Sequence, residues 1–163
     1  MTERRPREGV PRNGDELTTL TTMLDWLRRS LAEKLEGVSD DDARRRLVPS
    51  LTTLLGLVKH AAVVEAGWFQ YCFRGDEDPY GDDEGFDLEP SDTVASVLAF
   101  YSRECDKSRA IIDAAAPDDP AARRLDGRDF NLRYILIHMI EETARHAGHA
   151  DILREQIDGS VGE

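Results

Sequence analysis

The sequence predicts an all-α fold, a four-helix bundle, and three observations carry that reading. Four long segments place apolar residues at three- and four-residue steps, and none shows the strict alternation of a half-buried strand. Each segment is bounded by residues that start or stop helices. The connections between them are polar and rich in Gly, Pro and Asp, as turns and loops are. Helices of about 20 to 28 residues joined in this way suit a four-helix bundle.

The first segment, residues 15–36, repeats Leu17, Leu20, Leu24, Leu27 and Leu31, and Gly37 stops it. A polar connection follows over 38–49, with room for one helical turn at 40–46. The second segment, 51–73, opens at Ser50 behind Pro49 and closes at Gly75. Its stripe is Leu54, Leu57, Ala61, Val64 and Trp68. Trp68, Phe69 and Tyr71 read as core packing in preference to a substrate-stacking patch. The loop over 74–89 is acidic, and its run from Asp76 to Asp87 reads as solvated, with a lid over a site as the alternative. The third segment opens at Ser91 after Pro90 and carries Val94, Val97, Leu98, Tyr101, Ile111 and Ile112 before Pro117. A charged loop over 117–130 leads to the fourth, 131–157, with Asn131 as its cap and Gly159 as its stop. The expected organisation is one bundle domain over 15–159 behind a flexible segment over 1–14.

Composition narrows the function. A chain of 163 residues suits one domain with an adequate core. With 33 acidic against 21 basic residues its net charge is −12, which repels phosphate backbones and anionic lipid. Nucleic acid and membrane surfaces are therefore poor partners. No apolar run approaches the roughly 18 residues that a membrane span needs. Residues 1–15 are polar and contain Arg and Pro, unlike a secretory signal. Cys72 and Cys105 share no CxxC spacing and read as reduced, buried thiols, so the expected location is the cytoplasm.

Chemistry concentrates on the fourth segment. At about 100° per residue, His138, Glu142, His146 and His149 fall within about 80° of one another, beside Ile135 and Leu153. That places three of the four histidines and a carboxylate on an inward face. Groups buried there must be paired, protonated or metal-bound. His60, the fourth histidine, lies on the apolar face of the second segment among Leu57, Ala61 and Val64. Alone it reads as a hydrogen-bonded core histidine. Together with the fourth segment it suggests a bundle-core metal site with three protein ligands and an open position. Spacing leaves the pair on the fourth segment open: His138 with Glu142, Glu142 with His146, or His146 with His149. Two Glu-x-x-His motifs are lacking, which argues against a di-iron carboxylate centre.

The run Thr52-Thr53-Leu54-Leu55-Gly56-Leu57-Val58-Lys59-His60, followed by Glu65-Ala66-Gly67-Trp68-Phe69, resembles the second-helix signature of the DinB-like superfamily. The stretch from His138 to Asp151, with the Ile-Leu-Arg-Glu after it, resembles the actinobacterial mycothiol transferase branch of that DinB/YfiT-like fold. The likeness extends over roughly 13–159. It implies a divalent metal held by His60, Glu142 and His146. Many relatives carry histidine where Glu142 stands, and glutamate there resembles the mycothiol-dependent isomerase branch. His149 stands where relatives often carry glutamine, which implies support of the ligands; His138, one turn earlier, is implied to be structural or to line the pocket.

The resemblance implies an enzyme, a metal-dependent thiol S-transferase. Zinc is the first choice of metal, with Ni²⁺, Fe²⁺ or Mn²⁺ able to use the same donors. Mycothiol would be the co-substrate, and a small electrophile the second partner. The metal would lower the thiol pKa, so no side chain need serve as covalent nucleophile. The alternatives are a non-catalytic metal-binding stress-response bundle and a purely structural bundle with satisfied core histidines. Ala144, Ala147, Gly148 and Ala150 permit close helix approach, within the bundle or across a homodimer.

Overall fold

Helix α1 (Glu16–Glu33) begins where Asp15 accepts a hydrogen bond from the Thr18 amide at 2.9 Å, in a computed structural model that describes residues 9–81 and 83–162. Such a side-chain cap satisfies an amide with no partner inside the helix. The first eight residues of the expected flexible segment lie outside the described residues. A single turn, α2 (Asp40–Ala43), falls within the polar connection and is capped by Ser39. Helix α3 (Leu54–Glu65) continues directly into a π-helical stretch, Ala66–Arg74, that ends at Gly75 with φ +83°. Helices α4 (Val94–Asp113) and α5 (Leu132–Asp158) complete the order. Among the described residues the regular elements are all helical, and two isolated β-bridges, Pro120 with Asn131 and Leu125 with Arg128, tie the last loop.

The ends of α5 match the sequence expectation, with Asn131 as cap and Gly159 in the left-handed conformation at φ +77°. Two starts are corrected. Helix α3 opens at Thr53, whose hydroxyl accepts from the Gly56 amide at 3.0 Å, while Ser50 bonds Thr52 instead. Helix α4 opens at Thr93, not Ser91, because Thr93 and Ser96 bond each other's amides in a capping box.

The second segment also departs from one uninterrupted α-helix. Its buried stripe moves over by one residue, from the expected Val64 and Trp68 to Glu65 and Phe69. Glu65 can enter the core because Arg28 of α1 meets it with two hydrogen bonds, at 2.7 and 2.6 Å. Of the three aromatics read as core, Phe69 is fully buried, whereas Trp68 and Tyr71 are half-buried.

Helix α1 packs on α5 and α3 packs on α4, while α3 also meets α5. One apolar cluster gathers Leu31, Leu54, Leu57, Val58, Tyr101 and Leu153; the other gathers Leu24, Phe69, Ile111, Leu132, Ile135 and Met139. Between them in sequence, on all four long helices, lie buried polar residues: Arg28, Glu65, Ser108 and Thr143. The core is thus two apolar halves around a polar layer. His60 and His146 adjoin Ala61 and Ala147 of the first half.

Candidate metal centre

Helix α3 contributes His60, and α5 contributes Glu142 and His146, one turn apart on the side that meets α3. The four-residue step puts Glu142 and His146 on one face of a helix. His146 Nε2 lies 3.0 Å from Glu142 Oε1, and His60 Nε2 lies 3.9 Å from the same oxygen. The two imidazoles meet edge to face, with centroids 4.9 Å apart. One ligand atom from each of the three residues falls within 4.8 Å of the others. Their side chains are 14%, 20% and 10% exposed for His60, Glu142 and His146, so the cluster sits at the rim of the core within reach of a small molecule.

Protonation can be read from the surroundings. His60 Nδ1 lies 2.5 Å from the carbonyl oxygen of Glu84. A carbonyl only accepts, so Nδ1 carries the proton and the Nε2 of a neutral His60 is left as a lone pair. Phe86 stacks on the same ring at 4.2 Å and 19°. Burial, with the neighbouring His60 adding to it, pulls the His146 imidazole below its ordinary pKa and favours its neutral form. His146 Nδ1 is buried with no hydrogen-bond partner. Arg145 contacts Glu141 and approaches Glu142 Oε2 at 3.7 Å.

Two imidazole nitrogens and one carboxylate oxygen form the donor set of three-ligand sites that keep a position open on zinc. The residues therefore fit a divalent ion in chemistry and in spacing. Of the three pairs left open by sequence spacing, Glu142 with His146 is the one that converges on His60. The other two histidines lie outside the cluster. His149 is exposed, with its ring tilted against His146 at 6.0 Å. His138 packs on Trp68 at 4.3 Å and lies parallel to Tyr134 at 6.4 Å, within an aromatic group that includes Phe130.

Sequence reasoning did not identify the Glu84 carbonyl, Gly85 or Phe86 as neighbours of His60. A faint signal was available: Gly85-Phe86 is a small and a large apolar residue set inside an acidic run. Of the two thiols expected to be buried, Cys105 is, whereas Cys72 is only half-buried. Burial, reinforced by Glu65, pushes Cys105 up to about 12, and burial also raises half-buried Cys72.

A helical protein with a histidine–carboxylate cluster between two of its helices is the class that fold and site define. Residues 19–159 match the family described as Mycothiol-S-transferase, and the chain belongs to that family. No curated protein matches it. No described helix is long and apolar enough to cross a membrane.

Proposed function

We propose that the chain is a zinc-dependent mycothiol S-transferase, a single four-helix-bundle domain over 15–159 whose metal is held by His60, Glu142 and His146. The observation that carries this reading is the convergence of those three donors in a member of the mycothiol S-transferase family. Bound there, a divalent ion would supply acidification of the co-substrate thiol near neutral pH. Ni²⁺, Fe²⁺ or Mn²⁺ would be held by the same donors, since geometry and supply select the physiological metal more than affinity does.

The chain's own residues support each part. His60 offers Nε2 because its Nδ1 proton is engaged by Glu84. His146 is favoured as neutral by burial, as a ligand imidazole must be. Glu142 brings one negative charge, which leaves a bound dication partly uncompensated and therefore attractive to a thiolate. The nucleophile comes from the co-substrate: Cys105 is pushed up to about 12 and Cys72 is also raised. The transfer breaks the thiol S–H bond, forms a sulfur–carbon bond to a small electrophile, and releases the proton with any leaving group. His149 and His138 serve as supporting and pocket-lining groups in this reading. The protein works in the cytoplasm, and its homodimer forms through the exposed face of α5, where Ile137 and Ile152 flank Ala144 and Gly148.

The test is conjugation of a fluorogenic electrophile by mycothiol as a function of zinc occupancy. The rate is expected to rise in proportion to bound zinc and to exceed the rate with glutathione. Stoichiometric zinc without conjugation would move the assignment to a non-catalytic metal-binding bundle. Absence of zinc uptake would leave a structural bundle.

A further inference from the structure

We propose that residues 83–87 act as a strap that fixes the tautomer and ring orientation of His60, with Gly85 and Phe86 as its positioning residues. The proposal rests on His60 being a ligand, as argued above, and adds the device that presents its Nε2. The strap is braced by a bond within itself and tied to α3 through Lys59, which also reaches Asp92 beyond it. The Gly85 amide donates to Asp83 Oδ1 at 2.7 Å, and Lys59 Nζ donates to the Asp87 carbonyl at 2.7 Å and to Asp92 Oδ2 at 3.0 Å. Between those anchors the chain presses onto α3. Gly85 is buried at φ +80°, and a Cβ there would lie 2.8 Å from His60 Cα and 2.9 Å from His60 N. Those are helix backbone atoms, which cannot swing aside, so glycine is required both for the backbone angle and for the approach.

The close approach has a chemical consequence for His60. It brings the Glu84 carbonyl to Nδ1 and lays Phe86 flat on the ring, so one nitrogen is committed as donor and one ring face is covered. Nε2 is then left unprotonated on the side of Glu142. A carbonyl or carboxylate on the second nitrogen of a ligand histidine fixes tautomer and orientation, and its loss typically weakens metal binding about 10- to 100-fold. Gly85→Ala would lift the strap, and nothing would then hold the proton on Nδ1.

The experiment measures two quantities on the full chain. Nitrogen-15 spectra of the imidazoles, taken on metal-free protein at about pH 8, above the ordinary histidine range, report the His60 tautomer. Zinc affinity is measured by competition with a chromophoric chelator. Wild-type protein is expected to show His60 as the Nδ1–H form. Gly85→Ala is expected to shift it toward Nε2–H and to weaken zinc about 10- to 100-fold, with helical circular dichroism unchanged. Phe86→Leu is expected to leave the tautomer in place and weaken zinc less. Asp83→Ala should move the tautomer in the same direction as Gly85→Ala, and Asp83→Asn, which keeps the acceptor oxygen, should restore it. A wild-type His60 in the Nε2–H form, or a Gly85→Ala protein that loses zinc with its tautomer unmoved, would overturn the strap. Wild-type protein that holds the Nδ1–H tautomer, loses it in Gly85→Ala and takes up no zinc supports the strap and overturns the metal reading alone.

Discussion

The Arg28–Glu65 pair and the His60–Glu142–His146 cluster both set a carboxylate against nitrogen groups inside the same set of helices, but they are finished differently. Arg28 and Glu65 are 3% and 1% exposed and joined by two parallel hydrogen bonds, with Asp25 taking a third from Arg28 at 2.9 Å. Burial alone would pull the Arg28 guanidinium down, and Glu65 outweighs it, so the guanidinium stays charged beside its partner. The histidine cluster has no such closure. Its carboxylate faces two imidazoles, one of them favoured as neutral, and His146 Nδ1 has no partner. A polar cluster that completes its own bonds holds a fold together. One that leaves a ring nitrogen without a partner and gathers its donor atoms at a rim can take a guest.

Glu65→Ala should give the largest effect. It leaves Arg28 buried and uncompensated, and breaking such a pair costs about 3–5 kcal/mol, read as a lower urea midpoint. The double change Arg28→Met with Glu65→Leu should recover most of that loss, because two apolar side chains need no partners. If the double variant is no more stable than Glu65→Ala, the pair contributes more than mutual compensation.

On the other side of the comparison, His60→Ala or His146→Ala should remove stoichiometric zinc while leaving the helical fold intact. Loss of one of three protein ligands should exceed the roughly 100-fold upper range of changes to supporting groups. Full zinc occupancy in both single variants, by elemental analysis, would discard this ligand set. Glu142→Ala should be comparably severe. His149→Gln should be mild, at about 10-fold or less, since its exposed ring only leans on His146. Equal loss in His149→Gln and Glu142→Ala would point to His146 with His149 as the chelating pair.

The smallest effect concerns the thiol beside the closed cluster. Cys105, raised to about 12 first by burial and then by Glu65, forms its thiolate only at strongly alkaline pH. Native protein treated with iodoacetamide at about pH 8 should keep Cys105 unmodified, by mass spectrometry of its peptide. Rapid alkylation there would mean that the closed cluster opens readily.

The helices were legible in the sequence because their physics is local. Apolar periodicity, Asn131 at one end of α5 and Gly159 at the other act within a few residues of where they stand. The inward face carrying Glu142 and His146 follows from helical geometry, and His60 joined it as a histidine on the apolar face of another bundle helix. The choice of Glu142 with His146 as the pair came from a family resemblance spanning two distant segments. The loop over 74–89 was legible only as acidic. That Gly85 presses on α3 depends on a contact made across 25 residues.

What the sequence determined by itself, then, was the helical class, the positions of its long elements to within a few residues, and which side chains could serve as ligands. The tertiary structure decided that Glu65 belongs in the core, because a lone carboxylate is refused there and only the approach of Arg28 compensates it. It also decided which pair on α5 faces His60 and which nitrogen of His60 meets the Glu84 carbonyl. Those outcomes depend on ångström-scale distances between segments far apart in the chain, and no local periodicity encodes such distances.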